Sequence, residues 1–363
     1  MIFISLLNKL SPAKLVCAAF AVSVCLTVGV RAQPRTQTPT PTPQQDDDIV
    51  ERVESNLVLL NVGVADQRGR AVTDLSRADF VVYEDGVRQN ITSFEPTTAP
   101  FSLVLLLDMS GSTLNFRPTL KQSAIRFLDA LAPDDRVAVV AFWGQRKKDR
   151  VENRLEVLAD FTSDRKEISF AITRAEGSGL TNLYEGLRFA LRQLAREGQR
   201  RKAVVVLTDG KDTELEDVDR KAAAAARTGD DALAAVKPQA STQLRAVLDA
   251  ADRQGVTIYP LALPSGDIKR FADPTPQQVA IFAGARARLQ SLADNTGGRL
   301  HAINRLEDLG RLYAEVAAEL RTLYSIAYQS SSTRQRDGSW RAVNIEVTRA
   351  QLIARSRPGY YAR

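Results

Sequence analysis

The chain has 363 residues, of which 44% are hydrophobic and 25% are charged, and its formal net charge is +6. It contains two cysteines and one histidine, so zinc sites built from several thiolate and imidazole ligands are excluded, and a disulfide framework has at most one bridge. A Ser/His/Asp triad could use only His301. Any metal must therefore be bound through oxygen, which favours hard cations such as Mg²⁺, Ca²⁺ or Mn²⁺.

Residues 1–32 are predicted to be a signal peptide. Lys9 and Lys14 supply positive charge, residues 15–30 carry no charge, and a cleavage site with small residues ends at Ala32. The apolar run is short for a membrane-spanning helix, which needs about 20 residues. We therefore expect an exported protein, periplasmic or secreted, with no membrane span after cleavage, and an uncleaved N-terminal anchor remains the alternative.

Cleavage would change the composition and the charge of the chain. Both cysteines would be removed, and the formal charge would fall from +6 to +3, because the segment carries three basic residues and no acid. Such a modest charge gives no reason to expect nucleic acid as a partner. The next segment, 33–48, has four prolines and almost no apolar side chains, which predicts a disordered Pro/Thr-rich linker.

Residues 49–100 are predicted to form a small N-terminal β unit. Apolar residues alternate along its first strand, as expected when one face is buried; they are Val58, Leu60, Val62 and Val64. Glu-Asp-Gly at 84–86 follows an apolar run, which predicts a hairpin with a type I′ turn. A sheet this small needs a partner to bury its apolar face. Strands predicted in the tail, residues 326–363, are expected to pack with it.

Between these segments, residues 101–325 alternate between strands and helices. Five stretches are continuously apolar, which indicates strands buried on both faces of a parallel sheet; they are Phe101–Leu107, Arg136–Phe142, Ala203–Leu207, Val256–Leu263 and Arg299–Ile303. Arg154–Leu158 is predicted to be an antiparallel edge strand, and leucines at helical spacing predict a last helix from Glu307 to Leu323. The fold class is therefore α/β, with a doubly wound, mostly parallel, Rossmann-like sheet of strand order 3-2-1-4-5-6. The polar stretch 211–240 is interpreted as a mobile, partly helical loop.

Ligands of such sheets bind outside the carboxyl ends of the strands, where the winding direction changes. Asp108 ends the first strand and Asp209 follows the fourth, and these two strands are neighbours in the predicted order. Ser110 and Ser112 follow Asp108, and Thr181 lies in a glycine-rich loop. Two carboxylates and three hydroxyls should therefore converge at one crevice, an oxygen-only set that suits a divalent cation.

Each of these residues also has a simpler interpretation. Ser110 and Ser112 could cap the helix that follows, and Asp209 with Gly210 could form an ordinary turn. If a cation is bound, uncharged hydroxyls neutralise little of its charge, so it can take an acidic side chain from a partner as a further ligand.

The motif Asp108-x-Ser110-x-Ser112, with Thr181 and Asp209 on later loops, resembles the metal-ion-dependent adhesion site of von Willebrand factor type A domains. The segments around it, from 49 to 363, resemble exported bacterial relatives described from acidobacteria; the similar stretches are 82–86, 105–112, 181–184, 206–210 and 359–361. The resemblance implies that the three hydroxyls ligate the metal and that both aspartates act directly or through water. It implies Mg²⁺, with Mn²⁺ or Ca²⁺ as alternatives.

The resemblance therefore implies an exported module for metal-dependent protein binding or adhesion, whose cation coordinates an acidic side chain of a partner protein. Two other functions remain open. One is a structural or assembly scaffold with a vestigial metal site. The other is a phosphatase of the haloacid dehalogenase type, which uses Asp-x-Asp-x-Thr, but here Ser110 stands in place of the second acid and cannot act as general acid or base. We therefore expect no enzymatic activity, and we expect His301 to be a packed or surface residue. The sequence does not specify an oligomeric state.

Overall fold

The computed structural model describes residues 57–68, 70–148, 150–198, 200–332 and 337–362. The predicted signal peptide, the predicted linker and the first eight residues of the predicted β unit lie outside this range. Within the described part of the chain, no helix is both long enough and apolar enough to cross a membrane.

The described residues form fourteen strands and eight α-helices. The strands are β1 (Leu57–Asp66), β2 (Phe80–Glu84), β3 (Val87–Gln89), β4 (Ile91–Glu95), β5 (Phe101–Asp108), β6 (Arg136–Lys147), β7 (Arg150–Thr162), β8 (Arg201–Thr208), β9 (Val256–Ala262), β10 (His301–Ala302), β11 (Leu323–Gln329), β12 (Trp340–Val347), β13 (Leu352–Arg355) and β14 (Gly359–Tyr361). The helices are α1 (Arg117–Phe127), α2 (Arg165–Arg174), α3 (Leu183–Leu194), α4 (Thr213–Ala222), α5 (Gly229–Ala235), α6 (Thr242–Gln254), α7 (Pro276–Thr296) and α8 (Leu309–Leu320).

The central sheet has six strands in the order β10-β9-β8-β5-β6-β7. Neighbouring strands are parallel except at β7, which runs antiparallel to β6 at the edge. All eight residues of β5 are buried, as expected for a strand covered on both faces. The predicted fold class, strand order and antiparallel edge strand are therefore confirmed.

Alternate residues of β5 enter two separate cores. Leu103, Leu105 and Leu107 pack with residues of α1, α2 and α8, whereas Val104 and Leu106 pack with residues of α3, α6 and α7. Helices therefore cover both faces of the sheet, which is what leaves its carboxyl edge open to carry a site.

Two predicted boundaries are wrong. β10 contains only two residues, and α8 ends at Leu320 because Leu323 already begins β11, which pairs with β1. An apolar residue at helical spacing can equally belong to a buried strand. Periodicity alone therefore did not distinguish the end of the helix from the start of the strand. The stretch 211–240 contains α4 and α5, so the prediction that it is partly helical is confirmed. Its alanines pack against α7, and small side chains give little periodic signal.

Strands from both ends of the described chain form two further sheets, ordered β13-β1-β11-β4 and β14-β12-β2-β3. All pairings in them are antiparallel, and the alternating residues predicted for the first strand are buried in the core between the two sheets. Asp85 and Gly86 have φ values of 48° and 81°, as a type I′ turn between β2 and β3 requires. The buried carboxylate of Glu84 accepts hydrogen bonds from the hydroxyls of Tyr328 (2.8 Å) and Tyr360 (2.9 Å), so it joins the N-terminal strands to the C-terminal ones. The predicted β module built from both flanking segments is confirmed.

Candidate metal centre

Two aspartates meet at the carboxyl edge of the central sheet. Asp108 is the last residue of β5, and Asp209 directly follows β8; the two strands are parallel neighbours, with Leu107 opposite Leu207. The side chains are almost completely buried, with 0% of Asp108 and 3% of Asp209 exposed. Parallel pairing therefore brings together two carboxylates that are far apart in the sequence.

The carboxylate of Asp108 is held by two donors. Its Oδ1 accepts a hydrogen bond from the backbone N–H of Ser110 at 3.0 Å, and its Oδ2 accepts one from the hydroxyl of Thr208 at 2.7 Å. Burial, followed by the nearby charge of Asp209, raises the pKa of Asp108 to about 7. Two buried carboxylates repel each other, so this edge of the sheet favours a bound positive charge.

The carboxylate of Asp209 is less fully satisfied. Its Oδ1 accepts a hydrogen bond from the backbone N–H of Lys211 at 3.2 Å. Its Oδ2 is buried and accepts no hydrogen bond from the described residues, although Nζ of Lys211 lies 3.2 Å away. This contact is an ion pair by distance but lacks the direction of a hydrogen bond. A bound metal cation would satisfy a buried oxygen that accepts no hydrogen bond.

The two serines lie beside Asp108. The hydroxyl oxygens of Ser110 and Ser112 are 3.2 Å apart. Ser110 is buried and precedes a short 3₁₀ helix at 111–116, but its side chain makes no capping hydrogen bond. The hydroxyl of Thr113 donates instead to the carbonyl of Asp108 at 2.9 Å, which fixes the loop. Helix capping therefore does not account for the Ser110 hydroxyl.

Thr181 is positioned by hydrogen bonds that tie three loops together. The backbone N–H of Gly111 donates to the carbonyl of Gly179 at 2.8 Å, and the N–H of Thr213 donates to the carbonyl of Thr181 at 3.0 Å. The N–H of Thr181 in turn donates to the hydroxyl of Thr213 at 3.1 Å. The loop that carries Thr181 is thus fixed against the loops that follow β5 and β8.

The structure brings all five predicted residues to the same edge, and it adds two that the sequence analysis missed. Thr208 donates a hydrogen bond to Asp108. The sequence could have indicated this contact, because Asp108 follows Leu107, Thr208 follows Leu207, and those two leucines are paired in neighbouring strands. Lys211 gives no comparable signal, because its contact with Asp209 depends on how its side chain folds back.

In the described part of the chain, no group of three or more His, Cys, Asp or Glu side chains could hold a metal ion, so a cation here would depend on the hydroxyls.

The single histidine lies in β10 and is buried. Its Nδ1 is 3.8 Å from a carboxylate oxygen of Glu315 on α8, and burial lowers the pKa of the imidazole. His301 therefore packs against a helix, in keeping with its interpretation as a packed residue.

Comparison with known proteins identifies the domain. Residues 103–211, which contain all five predicted site residues, match the family model of the von Willebrand factor type A domain. This part of the chain is a von Willebrand factor type A domain. Domains of this family commonly mediate protein interaction or adhesion. The closer likeness to relatives from acidobacteria remains a prediction.

A relative of this von Willebrand factor type A domain is found in an uncharacterized protein of Synechocystis sp., which is 35% identical over 114 residues. The matched stretch is 31% of this chain and 25% of the relative, so the chain spans about a quarter of that protein.

Solved structures show weaker likenesses to the chain that carries this von Willebrand factor type A domain. A von Willebrand factor type A protein from Catenulispora acidiphila is 14% identical, with a TM-score of 0.42, and the match covers 86% of this chain and 74% of that one. The corresponding domain of the type V pili tip protein Mfa5 from Porphyromonas gingivalis is 15% identical, with a TM-score of 0.43 and coverages of 61% and 95%. Proximal thread matrix protein 1 from the mussel byssus, with a zinc-occupied MIDAS motif, is 17% identical, with a TM-score of 0.41 and coverages of 64% and 49%. Likenesses at this level carry no argument about the function of this chain.

Proposed function

We propose that this chain is an exported module for metal-dependent protein binding. The observation that carries the proposal is the buried Oδ2 of Asp209, which accepts no hydrogen bond from the described residues and lies beside a second buried carboxylate, that of Asp108. A divalent cation would neutralise both groups at once.

Five residues would hold the cation. The hydroxyls of Ser110, Ser112 and Thr181 would be direct ligands, and Asp108 and Asp209 would act directly or through water. Both oxygens of Asp108 already have donors, so its role is to orient the Ser110 loop as well as to supply charge. Oxygen donors in this mixture suit Mg²⁺, with Mn²⁺ or Ca²⁺ as alternatives.

The chemistry of the proposed metal ligands indicates what kind of group a partner protein would present. Hydroxyl ligands add no charge, and aspartates that act through water leave a coordination position open, so the cation can take an acidic side chain presented by a partner protein. Binding rather than catalysis is favoured because the hydroxyl of Ser110 lies beside that of Ser112, where a phosphatase would need a second acid. The signal-like N-terminus supports a periplasmic or secreted location.

Isothermal titration of the EDTA-treated protein with Mg²⁺ tests the metal site. We expect binding by the wild type and at least about tenfold weaker binding by Asp108→Ala and Thr181→Ala. Ser123→Ala removes a hydroxyl from α1 and should bind like the wild type. Unchanged affinity in both site variants would refute the assignment of the ligands. Parallel titrations with Mn²⁺ and Ca²⁺ establish which cation binds most tightly.

A capture experiment tests the partner. The immobilised wild type and Asp108→Ala proteins are exposed to an extracytoplasmic extract in Mg²⁺ and in EDTA. We expect a bound protein only with the wild type in Mg²⁺, and replacement of an acidic residue of that protein should abolish its capture. Capture that is equal in EDTA would favour a scaffold with a vestigial metal site instead.

A further inference from the structure

Lys211 places a positive charge inside the candidate metal site. Its Nζ lies 3.2 Å from Oδ2 of Asp209, the buried oxygen that accepts no hydrogen bond from the described residues. The Lys211 side chain is only 21% exposed, whereas surface lysines usually extend into water. An ammonium group at this distance offsets the carboxylate charge that a divalent cation would otherwise offset.

Two other contacts surround the ammonium group. It lies 3.9 Å from Oε1 of Glu216 on α4 and 5.3 Å from the ring centroid of Phe282 on α7. The ring favours a cation on its face. Glu216 offers a second carboxylate within reach, so the ammonium group can leave Asp209 without losing a charged partner.

We propose that Lys211 is an internal counter-ion that competes with the divalent cation for Asp209, so that it sets the cation affinity of the site. This inference rests on the proposed function, because it assumes that a cation binds there. Lys211 stabilises the buried carboxylate of Asp209 in the metal-free protein. When the cation binds, the ammonium group shifts to Glu216 and remains on Phe282.

Replacing Lys211 by Met keeps much of the side-chain volume and removes the charge. We expect Lys211→Met to bind Mg²⁺ about tenfold more tightly than the wild type, since a unit charge a few ångströms from a divalent ion repels it even at the dielectric constant of water. Lys211→Arg keeps the charge and should stay within about threefold of the wild type. Lys221→Met removes an exposed lysine from the other end of α4 and should leave the affinity unchanged. Isothermal titration of each protein with Mg²⁺ alone measures these affinities.

Thermal unfolding supplies a second measurement. In EDTA, Lys211→Met should melt at a lower temperature than the wild type, because the buried carboxylate of Asp209 loses its counter-ion. Saturating Mg²⁺ should raise its melting temperature more than that of the wild type. A merely structural lysine would lower the melting temperature in both conditions and would leave the Mg²⁺ affinity unchanged or weaker, which overturns the proposal. If the wild type itself binds no Mg²⁺, the proposed function fails; if the wild type binds and Lys211→Met binds no more tightly, only the counter-ion role fails.

Discussion

Two buried carboxylates and one ammonium group lie at the carboxyl edge of the central sheet. Asp108 and Asp209 could be predicted as neighbours because each ends a strand of a recognisable parallel sheet. The position of Lys211 could not, since its side chain has several rotatable bonds and its contacts come from α4 and α7. The assignment of the five residues as metal ligands remains a prediction that titration has to test.

Gly179 is needed for the loop that carries Thr181. Its φ is +108°, and a Cβ atom there would lie 2.5 Å from the carbonyl oxygen of Gly144. We expect Gly179→Ala to lower the free energy of unfolding by about 1–3 kcal/mol, because the backbone conformation is strained for any residue with a side chain. Urea unfolding measures this change. Titration should also show weaker Mg²⁺ binding, because the loop must shift.

Gly310→Ala is the matched control for that variant. Gly310 lies in α8, and a Cβ atom there would meet nothing within 4 Å. We expect this substitution to leave Mg²⁺ binding unchanged and to stabilise the protein by up to about 1 kcal/mol, because alanine favours the helix. Equal losses of stability in the two variants would contradict the role given to the Gly179 backbone.

At the level of elements, a buried ion pair joins α4 to α7. The guanidinium group of Arg288 donates to both oxygens of Asp219 at 2.8 and 2.5 Å, and each side chain is only 4% exposed. The polar sequence of 211–240 predicts a mobile, partly helical loop and does not indicate that Asp219 is buried. Its burial depends on a helix 69 residues further along the chain, which no local pattern reports.

Breaking this pair should be costly. We expect Arg288→Met to lower the free energy of unfolding by about 3–5 kcal/mol, because Asp219 would remain buried without a counter-ion. The double variant Arg288→Met with Asp219→Leu should recover most of that loss, since no charge is left in the interior. Chemical denaturation of the single and double variants checks both expectations.

Arg220→Met is the control for this prediction. Arg220 pairs with Asp217 on the same helix, but both side chains are about half exposed. An exposed pair contributes up to about 1 kcal/mol, so this variant should unfold close to the wild type. If removing the exposed pair cost as much as removing the buried one, burial would not be the cause.

On the scale of the whole molecule, a buried arginine is among the side chains that tie the β module to the α/β sheet. Arg201 begins β8 and is only 8% exposed. Its guanidinium group donates to the carbonyls of Thr97 (3.0 Å) and Ala99, before β5, and to those of Leu320 (3.1 Å), at the end of α8, and Leu323 (2.7 Å), at the start of β11. The chain enters and leaves the α/β sheet at these two places, so one guanidinium group holds both crossings.

We expect Arg201→Met to lower the free energy of unfolding by on the order of 3 kcal/mol, because several buried carbonyls lose a charged donor. Urea unfolding measures the loss. Arg196→Met serves as the comparison, since that exposed arginine donates only to the side chain of Gln193 among the described residues, at 3.2 Å. A change in Arg201→Met no larger than that of Arg196→Met would show that the two crossings do not depend on this residue.

The amino-acid sequence alone was enough to establish the composition limits and to predict the strand order of the central sheet, the β module drawn from both flanks and the five oxygen-bearing residues at one edge. It could do so because buried strands, hairpin turns and strand ends leave local patterns in the chain. The packed structure was needed to show that Thr208 holds Asp108, that Lys211 pairs with Asp209, that Asp219 is buried against Arg288 and that Arg201 joins the two crossings. These features depend on where side chains from distant segments point once they are packed, and burial then changes the energy of each charge in a way that local spacing does not encode.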